Sequence, residues 1–315
     1  MTADALGHLH PTAQLEATLP DEERIHLIRA SECWVGHTRA EAVLARLNQL
    51  FVYGPGRVRP PNALLVAPSN NGKSTLIERF RRNHAAPTDA GEGNDAEVIP
   101  VVIVQMPSDP TISRFYAALL DELGAAGVRR HGRSASKMDL ERLALDVLRG
   151  VQARVLVIDE LHNLLAGARN TRLEFLNLLR YLGNTLRIPL IGVGTRDAHL
   201  AIRTDPQLEN RFEPITLPLW EADVETATLI MSFAASLPLR RPSSDLCRMN
   251  VLRDIVARTG GTIGEVMALL RAAAVTAIES GEEAITRPVL EQSGYFGPSE
   301  RRARLDRELP RGVAA

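Results

Sequence analysis

The chain has 315 residues, of which 45% are hydrophobic and 24% charged, and its 37 basic and 38 acidic side chains leave a net charge of −1. This composition excludes collagen-like, disulfide-framework and wholly disordered chains, and it suits one large domain with a smaller one. We expect a cytoplasmic protein without a membrane span, since no apolar run reaches roughly 18 residues and the first residues lack a secretion signal. Cys33 and Cys247 predict two free thiols.

The predicted elements form two regions. Residues 1–20 are polar and small and predict an N-terminal arm, and helical spacing of apolar residues begins at Asp21. Five short apolar runs then alternate with helical patterns, which is typical of a parallel sheet covered on both faces. The predicted strands are 63–67, 98–106, 155–158, 189–194 and 215–217. The sequence therefore predicts an α/β domain over 21–219, a small all-helical domain over 220–293, and an arginine-rich tail over 294–315 that is frayed from residue 299.

A glycine-containing loop follows the first predicted strand and opens a helix. The pattern G-x-x-x-x-G-K-[ST] surrounds phosphates with backbone N–H groups at a positive helix end. Here Ala67 stands in place of the first glycine, and Gly72, Lys73 and Ser74 complete the pattern. Lys73 is one of two lysines beside 35 arginines, so its point charge is expected at the phosphates, with the Ser74 hydroxyl on Mg²⁺. The predicted nucleotide-binding residues are Ser69, Asn70, Asn71, Gly72, Lys73, Ser74 and Thr75.

Acidic and polar residues end the later strands. Asp159 and Glu160 follow the third strand, where an aspartate holds Mg²⁺ and a glutamate activates an attacking water. Many strands end in an acid, so the pair indicates nucleotide hydrolysis only together with the loop at Lys73. Thr195 ends the fourth strand and is either a γ-phosphate sensor or an ordinary turn residue. Arg211 precedes the fifth strand and is either an arginine finger for a neighbouring subunit or a surface arginine.

These motifs together resemble the AAA+ ATPases, with a central five-stranded parallel sheet and a C-terminal helical lid. More narrowly, the chain resembles the TniB family of transposition ATPases, which are relatives of the TnsC and IstB regulators. The resemblance extends from about residue 20 to 293. The strings that carry it are 69–74, 158–167, 192–195, 207–214 and 237–240.

The resemblance implies an ATP-dependent oligomer, a ring or a helical filament, that binds duplex DNA without sequence specificity. Such a protein selects target DNA and recruits a DDE transposase, and hydrolysis of ATP disassembles the oligomer. The implied site roles are phosphate and Mg²⁺ binding by Lys73 and Ser74, metal organisation by Asp159, the hydrolytic base Glu160, the sensor Thr195 and the trans-acting finger Arg211. One departure is Gly264, which stands where many AAA+ lids carry a sensor arginine. Lid sensing is therefore absent or moved, for which Arg271 is the candidate, and slow turnover is expected.

The DNA contact and two rival functions stay open from the sequence. The basic residues of the 129–137 loop either face a phosphate backbone or are simply solvated. They are Arg129, Arg130, Arg133 and Lys137. One rival is a helicase loader with the same fold. The other is an interaction module that binds nucleotide without hydrolysing it, an alternative that Ala67 and Gly264 favour.

Overall fold

The computed structural model describes residues 6–30, 34–86, 97–124 and 136–308. These residues form two compact units, one of Thr38–Pro218 and one of Met1–His37 with Leu219–Ala315. The boundary between Pro218 and Leu219 lies beside the domain boundary that we predicted at 219. The structure divides the N-terminal part differently, because the predicted arm and residues 21–37 cluster with the C-terminal helices.

Helices alternate with strands up to residue 216, and only helices follow among the later described residues. The elements up to the last strand are α1 (Pro11–Glu16), α2 (Asp21–Ala30), α3 (Thr38–Tyr53), β1 (Asn62–Val66), α4 (Lys73–Asn83), β2 (Val101–Gln105), α5 (Ile112–Glu122), α6 (Lys137–Gly150), β3 (Val155–Asp159), a 3₁₀ turn (Leu161–Ala166), α7 (Arg169–Leu186), β4 (Leu190–Gly194), α8 (Arg196–Arg203), α9 (Pro206–Glu209) and β5 (Phe212–Thr216). The later elements are α10 (Val224–Ala234), a 3₁₀ turn (Ser244–Cys247), α11 (Met249–Thr259), α12 (Ile263–Glu279), α13 (Arg287–Gln292) and α14 (Pro298–Glu308).

The strands of the α/β unit form one parallel sheet in the order β2-β3-β4-β1-β5. The central strands are apolar at nearly every position, because helices cover both faces of the sheet. The predicted α/β class with five parallel strands and a helical C-terminal region is confirmed. β4 lies between β3 and β1, so the carboxyl ends of these three parallel strands are neighbours.

The fifth strand begins earlier than predicted, at Phe212 and not at Ile215. Glu213 and Pro214 are exposed and interrupt the apolar pattern from which a strand would be recognised. β5 pairs only with β1 and lies at the edge of the sheet, where a proline without an N–H group is tolerated.

In the helical unit a buried arginine joins the N-terminal segment to the C-terminal helices. Arg24 of α2 is fully buried and donates to Glu283 through Nη1 (2.8 Å) and Nη2 (2.6 Å) and to the Pro238 carbonyl (2.9 Å). Arg240 donates to the carbonyl oxygens of Ala17 (3.1 Å) and Leu19 (3.2 Å). The described part of the predicted arm, residues 6–20, is therefore attached to this unit by hydrogen bonds.

The C-terminal segment also differs from the frayed tail that we predicted. Residues Pro298–Glu308 form α14, in which Arg301 pairs with Glu265 at 2.6 Å and Glu300 accepts from the Gly297 N–H at 2.8 Å. Residues 309–315 lie outside the described residues. Cys247 is a free, exposed thiol, as predicted. Cys33 lies outside the described residues.

The apolar content of the helices was compared with that of a membrane span. Among the described residues no single helix has the length and hydropathy to cross a bilayer. Met249–Thr259 and Ile263–Glu279 reach them only as a pair, with a bend of 113° between the two helices.

Candidate active site

The loop between β1 and α4 turns through two left-handed residues. Asn70 has φ 58° and Gly72 has φ 78°, a conformation that glycine adopts without a steric cost. Ala67 lies outside the left-handed region, and its N–H donates to the Gly194 carbonyl at 3.1 Å. Ala67 therefore continues the strand, and the absence of a glycine at this position does not distort the turn.

Lys73 begins α4 and is only 6% exposed. Its Nζ donates to the carbonyl oxygens of Ala67 (3.1 Å) and Pro68 (2.8 Å), so the ammonium group lies across its own loop. Burial lowers the pKa of Lys73, and the nearby carboxylates of Glu160 and Asp159 act in the opposite direction. The loop lysine and the two acids from the end of β3 therefore belong to one site.

Ser74 and Asp159 bring two oxygen ligands together. The Ser74 hydroxyl donates to Oδ2 of Asp159 at 3.1 Å, and Oδ1 of Asp159 accepts from the Glu160 N–H at 2.7 Å. A hydroxyl and a carboxylate are ligands that Mg²⁺ prefers, and a magnesium site of this kind is completed by phosphates and waters. The described residues contain no group of three or more His, Cys, Asp or Glu side chains that would hold a metal by itself. The pair thus fits Mg²⁺ that arrives with a nucleotide.

Glu160 leaves the end of β3 with φ 54°, a left-handed conformation that is uncommon for a residue with a side chain. Its Oε2 lies 3.0 Å from Nε2 of His162, and both side chains are half-buried. We did not anticipate this contact from the sequence. The only signal in the sequence was that Glu160 and His162 are two positions apart, with Leu161 between them.

The remaining predicted loop residues differ in their surroundings. Asn71 is 5% exposed, and its Nδ2 donates to the carbonyl oxygens of Leu217 (3.0 Å) and Pro218 (3.2 Å), which fixes the loop to the segment leaving β5. Ser69 and Asn70 are exposed before the helix, and Thr75 is exposed in its first turn. Their assignment to nucleotide binding stays a prediction.

Thr195 directly follows β4 and is the residue before α8. A γ-phosphate sensor at Thr195 requires that β4 lie between β1, which precedes the loop of Lys73, and β3, which ends in Asp159. β4 has this place in the sheet. Thr195 is half-buried at the carboxyl edge where these strands end. Its role as a sensor stays a prediction.

Arg211 lies at the amino ends of the parallel strands, whereas Lys73 lies at their carboxyl ends. It precedes β5, and its carbonyl accepts from the N–H of Asn62, the first residue of β1, at 3.1 Å, whereas the loop follows the last residue of β1. Five strand residues span about 17 Å, farther than an arginine side chain reaches. Arg211 therefore cannot complete the nucleotide site of its own subunit.

Arg211 has both basic and acidic side chains around it. Its Nη2 donates to Oδ1 of Asn184 at 2.9 Å, and it lines a cavity of about 900 Å³ together with Arg59 and Arg180. Burial lowers the pKa of Arg211, and the charges of Arg59 and Arg180 lower it further. Two carboxylates, Glu209 and Glu213, line the same cavity.

The other predicted residues belong to the helical unit, begin a helix of the α/β unit, or fall outside the described residues. Gly264 is in the first turn of α12, and the Arg271 guanidinium lies 5.7 Å from the centre of the Phe233 ring within the helical unit. Lys137 is the exposed first residue of α6 and follows the helix cap Ser136. The other three candidates for DNA contact, Arg129, Arg130 and Arg133, lie outside the described residues.

The sheet order, the phosphate-type loop and the acids at the end of β3 define a P-loop protein of the AAA+ class. A family model described as "Bacterial TniB protein" matches residues 24–222. The chain belongs to the TniB family, so the predicted membership is confirmed.

Solved structures with the same fold share little sequence with this chain. The ORC2 protein of Aeropyrum pernix, in ADPNP–ADP complexes, has a TM-score of 0.60 at 17% identity over 85% of this chain and 70% of its own. The ORC1 protein of the same organism, in complex with DNA, has a TM-score of 0.55 at 16% identity (90% and 69%). Cdc6p from Pyrobaculum aerophilum has a TM-score of 0.54 at 14% identity (94% and 73%). No curated protein matches the sequence at a significant level.

Proposed function

We propose that this chain is an ATP-hydrolysing, DNA-binding regulator of transposition that assembles on duplex DNA in the cytoplasm. In this proposal it recruits or activates a DDE transposase, and hydrolysis of ATP disassembles the oligomer. Membership in the TniB family supports the link to transposition. The similarity to an ORC1 protein solved in complex with DNA supports the link to DNA.

We assign a residue to each step of the proposed hydrolysis. Lys73 and the backbone of the Gly72 turn would bind the phosphates, and Ser74 and Asp159 would hold Mg²⁺, whose charge would offset that of the phosphate oxygens. Glu160 accepts the proton of the attacking water, because its carboxylate follows the metal-binding Asp159 at the same strand end. Thr195 contacts the terminal phosphate from the neighbouring strand.

The observation that carries the proposal of an oligomer is the separation of Arg211 from Lys73. Arg211 lies at the amino ends of the parallel strands and Lys73 at their carboxyl ends. A nucleotide site that contains both residues therefore requires two subunits. When a second copy binds, Arg211 enters its neighbour's site and stabilises negative charge on the phosphates. Nucleotide then joins subunits, and assembly depends on whether the terminal phosphate is present.

Electron microscopy of the protein with duplex DNA tests the proposal. We expect rings or helical filaments on duplex DNA with a non-hydrolysable ATP analogue, and free subunits with ADP. The Glu160→Gln variant should remain assembled with ATP, because it binds nucleotide without cleaving it. Equal assembly with ADP and the analogue contradicts the coupling.

Two further comparisons separate the rival functions. Tighter binding to single strands than to duplex DNA, together with capture of a hexameric helicase, would indicate a helicase loader. Turnover that is unaffected by Glu160→Gln would indicate a module that uses nucleotide only as a structural ligand.

A further inference from the structure

A histidine that the predicted mechanism does not use contacts the predicted hydrolytic base. Nε2 of His162 lies 3.0 Å from Oε2 of Glu160. An ionised carboxylate only accepts hydrogen bonds, so the imidazole donates through an Nε2–H group. The Nδ1 atom of the same ring is buried, and it has no hydrogen-bond partner within the described part of the chain. A buried polar atom left unpaired lowers stability and calls for an explanation.

The backbone that carries His162 is fixed on both sides. Leu161 and Leu164 of the 3₁₀ turn are fully buried in the core of the α/β unit. Between them, Nδ2 of Asn163 donates to the Met106 carbonyl at 2.9 Å, just beyond the end of β2. These contacts hold the backbone of His162 in place next to Glu160. Glu160 itself has an uncommon left-handed backbone conformation.

Two glycines of β4 make room for this turn. A Cβ atom at Gly192 would lie 2.7 Å from Cδ2 of Leu161, and one at Gly194 would lie 3.3 Å from Nδ1 of His162. Neither glycine has a positive φ, so close approach and not backbone conformation accounts for them. Gly194 immediately precedes Thr195, so the His162 ring lies between the predicted base and the strand end that carries the predicted sensor.

We propose that His162 is a positioning residue for ATP hydrolysis: its Nε2–H group holds the Glu160 carboxylate in the orientation in which the free Oε1 accepts a proton from the attacking water. His162 itself does not touch the reacting atoms. The buried side chains of Leu161 and Leu164 hold the turn that carries the ring, and the Nδ1 without a partner among the described residues is the cost of that placement. This inference depends on the proposed ATPase function and deepens it.

The test uses the full-length protein with three substitutions at one position. A glutamine amide reaches the place of Nε2, an asparagine amide reaches only the place of Nδ1, and leucine has no donor. We expect His162→Gln to retain kcat within about threefold, and His162→Asn and His162→Leu to lower kcat by about tenfold or more, since misplacing a reacting group is costly. KM for ATP and the Kd of a fluorescent ATP analogue should stay within about twofold of the parent values, because binding does not require this orientation. His26→Leu, an exposed histidine of the other unit, is the matched control for loss of an imidazole.

The outcomes separate this inference from the proposed function. If Glu160→Gln stops turnover while His162→Leu leaves kcat unchanged, the positioning role is wrong and the ATPase proposal stands. If the three variants lose turnover, nucleotide affinity and thermal stability together, His162 is only structural and the inference is again wrong. If the parent protein has no turnover that Glu160→Gln removes, both proposals fall. Rescue by glutamine but not asparagine supports the inference, even where His162→Leu does not fold.

Discussion

The hydroxyl of Ser74 donates to Oδ2 of Asp159 at 3.1 Å, although 85 residues separate them in the chain. The first belongs to the helix after β1 and the second to the end of β3, and β4 lies between these strands. The contact places a hydroxyl and a carboxylate where a nucleotide-bound Mg²⁺ requires oxygen ligands.

Ser74→Ala and Asp159→Asn should each raise the Mg²⁺ concentration for half-maximal ATP turnover by about tenfold, since each removes one ligand. The double variant should be less impaired than the product of the two single effects, because the residues act on one ion. Steady-state turnover measured against Mg²⁺ concentration checks this. Thr228→Ala, which removes an exposed hydroxyl of the helical unit, is the control. Unchanged Mg²⁺ dependence in both single variants would contradict the assignment.

Ala67→Gly should not raise the affinity for ATP, even though it restores the first glycine of the G-x-x-x-x-G-K-[ST] pattern. Ala67 is 2% exposed and extends β1 through its bond to Gly194. Glycine there should lower the free energy of unfolding by about 0.5–1 kcal/mol, since it adds entropy to the unfolded chain. Gly72→Ala should instead weaken ATP binding, because φ 78° is strained for alanine. Nucleotide titration and urea unfolding measure the two effects, and a tighter Kd for Ala67→Gly would refute the argument.

Arg211→Ala and Lys73→Ala should each abolish turnover alone and regain part of it when mixed. In a mixed oligomer, a subunit with an intact loop meets a neighbour with an intact Arg211, which completes one working site. ATPase assays on mixtures of the two purified variants at several ratios check this. Arg203→Ala, which removes an exposed arginine paired with Glu209, should leave turnover unchanged. If no mixture exceeds the sum of its components, Arg211 does not act between subunits.

Arg24→Met should lower the free energy of unfolding by about 3 kcal/mol, because it leaves Glu283 in a buried place without its main partner. Adding Glu283→Gln should recover part of that loss, since the uncompensated charge is then removed. Arg304→Ala, which breaks an exposed ion pair with Glu308, should cost under about 1 kcal/mol. Urea unfolding of the four proteins measures these differences, and equal effects of Arg24→Met and Arg304→Ala would contradict the role of the buried pair.

The same pair predicts a pH dependence of stability. Burial acts to raise the pKa of Glu283, but hydrogen bonds from Arg24 and Arg240 outweigh it and hold the pKa below its ordinary value of 4.5. The folded state therefore gains stability from this carboxylate above pH 4.5, and the gain is lost as the pH falls through the folded-state pKa. Glu283→Gln should flatten the decline of unfolding free energy in this acid range. An unchanged pH profile would show that other carboxylates are responsible.

The sequence alone determined the elements that depend on neighbouring residues. Apolar runs indicated the strands, helical spacing indicated the lid helices, and the turn at Gly72 with Lys73 and Ser74 stands within one short loop. Each of these signals is local, because backbone conformation and the burial of one face follow from residues close together in the chain. The start of β5 was not predicted, because Glu213 and Pro214 interrupt the apolar pattern. An edge strand can contain such exposed residues.

Only the tertiary structure decided which distant residues meet. The pairing of Arg24 with Glu283, the attachment of residues 21–37 to the helical unit, and the contact of Glu160 with His162 depend on side-chain positions that periodicity does not encode. The distance of Arg211 from its own Lys73 depends on the order of strands in the sheet. That order is set by the packing of the whole chain, and no local pattern determines which strands become neighbours.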